Sequence, residues 1–269
     1  IAISDLGSGD IHILSDMPPE LLAQQKKRKD GTPGIEHVIK GRHMAPVHLI
    51  RYNPAYDCCM SFDKRGFIEV WEADTGQLPS KSSYSSSGGG GPGNSNSRKK
   101  IKFESKMDGT DLFELVRKKS HVVSCSLSPD GDLAAMLCAD ERLRIFRFSN
   151  CKKVKEIDEG LEVLTAAQND PQQTILQLES FDFGRRVAVE KELRKSIARD
   201  FQTCCFDESG AFLLYPSPVG IKVLNLVTNE LCRILGKVEC SERFLGLALF
   251  QSGRVLSSQG RSESPHRHL

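Results

Sequence analysis

An all-β fold made of repeated small sheets is predicted by three observations. Short apolar runs alternate with polar residues at the period of a strand, and turn residues separate them. The stretch 121–148 contains three such runs, joined by Ser-Pro-Asp-Gly and by Ala-Asp-Glu-Arg. Looser copies recur at 42–76 and 201–229, and residues 1–16 match the last part of a copy. Repeats of this kind predict the blades of a β-propeller, here a partial one of about four blades.

The copy at 201–229 predicts the strands of the last complete blade. We expect strands at 201–206, 211–215 and 221–226, and a fourth strand at 231–235. Residues 244–250 resemble the start of a fifth unit.

Two interruptions break the repeats. The first is mostly Ser and Gly, which bury too little apolar surface to offset the entropy of ordering, so we expect disorder across 79–100. The second is a non-repeat excursion at 152–199 with helical composition. The predicted domain is a partial propeller over 1–250, followed by a disordered tail over 251–269. Residues 110–117 have strand-like or short helical character and are predicted as the outer strand that the first interruption displaces.

Composition excludes several classes of protein. The chain has 269 residues and a formal net charge of +2, which is too small to indicate nucleic-acid binding by itself. No apolar run reaches the roughly 18 residues of a membrane span. The chain opens in the middle of a strand, with neither a starting Met nor a signal peptide, so we expect it to be part of a longer protein.

Nine cysteines are present, and two pairs are adjacent, at 58–59 and 204–205. Neighbouring residues of a strand point to opposite faces, so neither pair suits a disulfide or a shared metal ion. We expect buried free thiols in a reducing compartment, the cytosol or the nucleus.

The copy at 42–76 carries four polar residues of the types that tie one blade together in WD40 repeats, which these copies resemble. In that family a His from the blade entry, a Ser on the second strand, an Asp in the following turn and a Trp on the third strand form a hydrogen-bond chain. Here His43, Ser61, Asp63 and Trp71 match, although Asp63 lies two residues further from the Trp than usual. Partly buried polar groups must satisfy one another, which explains the pattern.

The stretch 121–148 matches the same chain only in part. His121 and Asp140 are present and could still pair, but Phe146 replaces the Trp and lacks its N–H donor, so the chain is incomplete. A catalytic or metal-binding role for His43 and His121 is the alternative. Their repeated position at the blade entry favours the structural role.

Longer strings resemble one family in particular. HMAPVHLIRYNPAYD, FESKMDGTDLFELVRKKS and FDFGRRVAVEKEL are similar to the WD40 region of nuclear cyclophilin-type peptidylprolyl isomerases that carry WD repeats. The last string lies in the non-repeat excursion, which makes it more diagnostic than a strand pattern. The resemblance implies a nuclear propeller that contacts chromatin, histone or spliceosome components, and a separate cyclophilin barrel that isomerises X–Pro bonds.

No cyclophilin motif occurs in the chain, so no catalytic residue is assigned, and no cofactor, metal or small-molecule substrate is expected. The preferred hypothesis is a protein-interaction scaffold. The alternative is a truncated piece of the isomerase whose catalytic domain is missing.

A partner-binding face is expected where the blade-entry loops meet the loops before the third strands. Its basic members are Arg42, Lys64, Arg65 and Arg142. The basic runs at 26–29 and 98–100 are either nuclear-import signals or solvated loop charge. Direct contact with nucleic acid is not expected, because no aromatic residues are interleaved with these runs.

Overall fold

The computed structural model describes residues 1–4, 7–14, 35–79, 99–102 and 109–250. The predicted disordered tail, the basic run at 26–29 and most of the Ser/Gly insertion lie outside the described residues.

Four antiparallel sheets follow one another along the described chain. The first contains β1 (Ala2–Ser4), β2 (Ile11–Leu14) and β3 (Ile35–Ile39). The second contains β4 (Val47–Asn53), β5 (Cys58–Asp63) and β6 (Ile68–Glu72). The third contains β7 (Val122–Leu127), β8 (Leu133–Cys138), β9 (Arg142–Arg147) and β10 (Lys152–Asp158). The fourth contains β11 (Cys205–Phe206), β12 (Phe212–Ser217), β13 (Gly220–Asn225) and β14 (Leu231–Leu235).

Along the chain, the helices lie in the segments that connect the sheets. They are α1 (Glu114–Arg117), α2 (Leu161–Asn169), α3 (Ser180–Leu193) and a 3₁₀-helix (Ile197–Phe201). The last three lie in or next to the non-repeat excursion and are called the helical cap below. None of the helices in the described residues is long and apolar enough to cross a membrane.

Successive sheets pack face to face, as the blades of a propeller do. Strand alternation sends neighbouring side chains to different cores: Ala134 packs towards the second sheet and Ala135 towards the fourth. Cys58 and Cys59 divide in the same way, between the second–third and the first–second interfaces. These stacked, consecutive four- and three-stranded sheets confirm the predicted all-β, partial WD40 β-propeller with a helical excursion.

The third strands of the repeats are equivalent in packing. Trp71 faces the first sheet, Phe146 the second and Leu224 the third, and all three side chains are buried. This one position of the repeat therefore always contributes a large apolar side chain to the preceding interface.

The prediction of an outer strand at 110–117 is wrong, because that segment forms turns and the short helix α1. The Asp111 N–H donates to the Cys151 carbonyl at 3.0 Å, and the Asp111 carboxylate accepts from the Lys153 N–H at 2.8 Å. Leu112 and Leu115 are buried in the core between the second and third sheets. The segment is therefore held against the third sheet.

The strand predicted at 201–206 is shorter than expected. Only Cys205–Phe206 pairs with β12, and residue 201 belongs to the 3₁₀-helix instead. Ser196 caps that helix by accepting a hydrogen bond from the Ala198 N–H at 3.1 Å. Asp200 of this helix contacts Lys64 of the second sheet, and Arg199 contacts Glu141 of the third.

Residues 244–250 contain no strand. They run beside the chain that leads into β11, where the Leu247 N–H donates to Thr203 Oγ1 at 2.7 Å and the Thr203 N–H donates to the Leu245 carbonyl at 3.1 Å.

Candidate functional site

The polar chain of the second sheet is assembled from three parts of the repeat. The indole N–H of Trp71 donates to Ser61 Oγ at 3.1 Å, and Ser61 Oγ lies 2.7 Å from His43 Nε2. The other ring nitrogen of His43 lies 3.3 Å from the Asp63 carboxylate. A single tautomer satisfies this chain, with His43 donating through Nδ1 and accepting through Nε2. All four side chains are buried, so the structure brings together every member of the predicted set.

Asp63 also organises the turn that follows β5. Its Oδ1 accepts from the N–H groups of Arg65 and Phe67, both at 2.9 Å. Burial opposes ionisation of this carboxyl, but the hydrogen bonds from His43 and from these backbone groups outweigh it. The pKa of Asp63 therefore lies below its usual value.

In the third sheet, His121 does not pair with Asp140, which is bound by Arg144 instead. Arg144 Nη1 and Nη2 donate to the two oxygens of Asp140 at 2.8 and 2.6 Å. Two parallel bonds from a guanidinium fork bind a carboxylate more strongly than one imidazole bond would. The ring centre of His121 instead lies 5.7 Å from that of His48, and its Nε2 lies 3.5 Å from Lys64 Nζ.

The guanidinium of Arg144 is fully buried, and further carboxylates surround it. Its Nε lies 3.5 Å from Glu114 and 3.6 Å from Glu156. Lys153 contacts both of these carboxylates, and Lys118 lies 2.6 Å from Glu114. The network links α1 to two strands of the third sheet.

The fourth sheet has a buried ion pair at the equivalent position of its third strand. Lys222 Nζ donates to both carboxylate oxygens of Glu159, at 2.8 and 2.6 Å, and the Tyr215 hydroxyl donates to the same group at 2.8 Å. Burial and the adjacent Glu159 raise the pKa of Tyr215 well above its usual value. Sequence reasoning missed both Arg144 and Lys222. The available signal was a charged residue two positions before the large apolar residue of each third strand.

Most of the predicted partner-binding face is engaged within the chain. Arg42 donates to the Gly76 carbonyl at 2.6 Å, and Lys64 donates to Asp200 at 2.7 Å. Arg142 forms ion pairs with Glu156 and Asp158, both at 2.9 Å. Arg65 is the exposed member for which no side-chain partner is found within the described residues.

The helical cap covers part of this face through charged contacts. Arg194 donates to both oxygens of Glu141 at 2.6 Å, and Arg199 contacts the same carboxylate and the Ala139 carbonyl. On α3, Arg186 donates to the carbonyls of Lys237 and Cys240 at 2.9 and 2.7 Å. The cap is thus held by ion pairs and hydrogen bonds to the turns before the third strands and beyond β14.

Two cavities adjoin these elements. A cavity of about 30 Å³ lies between the turn before β9 and the helical cap, and it has room only for water. A cavity of about 400 Å³ lies between the first and second sheets, beside Ile13, Ile50 and Trp71. Its lining side chains are apolar apart from the Tyr52 hydroxyl, the Cys59 thiol and the Trp71 indole N–H, which already donates to Ser61, so the cavity lacks the convergent polar groups of a typical ligand site.

The cysteines are all free thiols, as expected. Six are buried, and burial raises the pKa of Cys138 and of Cys204 to about 12. Within the described ranges, no group of three or more His, Cys, Asp or Glu side chains is arranged to hold a metal ion.

Comparison with known proteins gives related sequences but no matching family model. The chain is 39% identical over 209 residues to peptidyl-prolyl cis-trans isomerase CYP71 of Arabidopsis thaliana, covering 78% of this chain and 30% of that protein. It is 40% identical over 215 residues to peptidylprolyl isomerase domain and WD repeat-containing protein 1 of Mus musculus, with 80% and 30% covered. A Rhizopus delemar isomerase, cyp15, is 34% identical over 253 residues, with 93% and 35% covered.

The chain thus spans about a third of the length of these relatives. Among solved structures, U3-55K is similar with a TM-score of 0.38 and 14% identity, covering 72% of this chain and 40% of that one. The fold assignment rests on the repeats and the four stacked sheets.

Proposed function

Because the chain is related to part of the WD-repeat peptidylprolyl isomerases, we propose that it is the protein-binding propeller of a nuclear cyclophilin. Two observations together support the proposal. The chain is 39–40% identical to part of these relatives, and it folds into four stacked blades whose buried polar side chains stabilise the fold. Its partners are proposed to be chromatin, histone or spliceosome components. Nuclear location is part of the proposal.

Affinity capture tests this function. The 269-residue chain, immobilised, is incubated with nuclear extract, and the retained proteins are identified by mass spectrometry. Enrichment of chromatin or spliceosome proteins over an unrelated propeller of similar charge is the expected result. Retention of none above that control would reject the proposal.

A second candidate function is the isomerase activity that the relatives' names state. We expect no acceleration of X–Pro isomerisation by this chain, because its main buried polar groups pair within the fold: His43 with Ser61 and Asp63, Arg144 with Asp140, and Lys222 with Glu159. A protease-coupled peptide assay measures this, and a rate that rises with the concentration of the chain would support catalysis instead.

A further inference from the structure

The 3₁₀-helix of the cap exposes its bulky apolar residues. Ile197 is 81% exposed and Phe201 64% exposed, whereas Arg199 and Asp200 contact Glu141 and Lys64. A short element that places charges inward and large apolar groups outward reverses the usual pattern of a protein surface. Exposed apolar groups that lie close together favour an interaction surface.

Basic residues lie next to this helix. Arg65, Arg117 and Lys119 are exposed, and no ion pair involves any of them within the described residues. The segments that carry them abut, because a Cβ added at Gly66 would lie 2.2 Å from the Ser120 carbonyl oxygen and 3.0 Å from the Leu115 carbonyl carbon.

Lys64 links the 3₁₀-helix, which carries Ile197 and Phe201, to the segments that carry the basic residues. Its Nζ lies 2.7 Å from Asp200 of the 3₁₀-helix and 3.5 Å from His121 Nε2, which follows Ser120 directly. Lys64 thereby neutralises Asp200, and Arg65, Arg117 and Lys119 are left without an ion-pair partner in the described part of the chain.

We propose that Arg65, Arg117, Lys119, Ile197 and Phe201, the basic–apolar patch, bind an acidic protein segment that carries bulky apolar side chains. This inference rests on the proposed function and names the chemistry of the partner. Complementary charge orients and speeds binding, and buried apolar anchors supply most of the affinity. Phe201 could stack on a base, but Ile197 beside it offers only an aliphatic contact, so the pair suits bulky apolar side chains of a peptide better than nucleic acid.

Fluorescence anisotropy with the full chain tests the patch. The probe is a fluorescein-labelled peptide in which glutamates alternate with phenylalanines, and a matched peptide has lysine in place of each glutamate. We expect binding of the acidic peptide that weakens with added salt, and none of the basic peptide. Preference for the basic peptide, as a histone tail would show, overturns the inference.

Two variants separate the charged and apolar contributions. Arg65→Glu combined with Arg117→Glu and Lys119→Glu should weaken binding at least about tenfold, and Ile197→Ser with Phe201→Ser should do so without changing the charge. Matched controls are R147E/K191E/R233E, at exposed cations elsewhere, and V227S/V238S, at exposed apolar residues. All the altered side chains are exposed, so thermal midpoints should equal that of the parent. Equal affinity of patch variants and controls overturns the inference.

Other outcomes remain distinguishable. Binding of an oligouridylate RNA that the triple variant loses, with no binding of the acidic peptide, assigns the patch to nucleic acid and overturns the inference. If the triple variant still captures every protein that the parent retains from nuclear extract, the patch is rejected while the proposed function stands. If the parent captures none, the proposed function fails whatever the peptide does.

Discussion

The second and third sheets neutralise an aspartate at the same turn with different chemistry. Asp63 is met by the imidazole of His43, which reaches it from the blade entry. Asp140 is met by Arg144, which reaches it from the third strand of its own sheet. In the second sheet, the strand position that matches Arg144 is held by Glu69, whose carboxyl has a raised pKa because of burial.

The difference follows from two other positions of the repeat. Met136 lies where the second sheet has Ser61, because Ser61 pairs with Glu69 and Met136 with Arg144, and Phe146 lies where the second sheet has Trp71. Neither replacement offers the strong donor or acceptor that holds a histidine in the chain. The buried Arg144 can take the place of this hydrogen-bond chain because the carboxylates of Glu114 and Glu156 lie beside its guanidinium. The third sheet therefore depends on charges from α1 and β10, whereas the second sheet depends on a hydrogen-bond chain that ends on the Asp63 carboxylate.

The largest effect is expected for Arg144→Met. Removal of one buried partner leaves Asp140 without its ion pair, which costs about 3–5 kcal/mol of unfolding free energy. Arg142→Met removes the same charge from a side chain that is 35% exposed, and should cost less than about 1 kcal/mol. Urea denaturation of both variants measures the difference. Similar losses would show that the buried pair is no more important than the surface one.

Acid should weaken the third sheet through its carboxylates. Burial opposes ionisation of Glu156, but Lys153 and Lys118 outweigh it and lower its pKa from 4.5 to about 2. Because the folded-state pKa is the lower one, the ionised form stabilises the fold above about pH 4.5, and this contribution is lost as the pH falls towards 2. Glu156→Gln should therefore be less stable than the parent at pH 7 and approach it near pH 2. Thermal midpoints across this range test the convergence, and a constant gap would contradict it.

Trp71→Phe makes the second sheet resemble the third. It removes the indole donor to Ser61 and leaves a small void, which together cost about 1–3 kcal/mol. The reverse change, Phe146→Trp, should bring no gain, because the third sheet has the weakly accepting thioether of Met136 where the second has the Ser61 hydroxyl. A double-mutant cycle with Ser61→Ala isolates the hydrogen bond. A coupling energy of zero between Trp71 and Ser61 would mean that their hydrogen bond does not stabilise the blade.

The smallest effect concerns thiol reactivity. Burial raises the pKa of Cys138 to about 12, whereas Cys232 is exposed. A maleimide reagent should label Cys232 in the native protein and reach Cys138 only after unfolding. Cys232→Ser should leave stability unchanged and remove the fastest phase, while the half-buried Cys205 and Cys240 react more slowly. Rapid native labelling of Cys138 would show that the sheet opens locally.

Strand positions and faces were predictable where the alternation is strong. β14 has the predicted bounds of 231–235, and the adjacent Cys58 and Cys59 point into different cores as expected. Residues 201–206 were mistaken for a strand because their apolar spacing suits one, while the contacts of Arg199 and Asp200 that hold the 3₁₀-helix lie far away in sequence. Such long-range ion pairs leave no local pattern to recognise.

The sequence by itself determined the repeat, the stacking of its blades and the identity of the polar chain around His43. These depend on local alternation and on residue types that recur at fixed spacing. Only the tertiary structure decided that Asp140 pairs with Arg144 and that the helical cap engages much of the expected binding face. The physical reason is that a buried charge pairs with whichever counter-charge the packing places within reach, and that distance is set by how the sheets and helices pack.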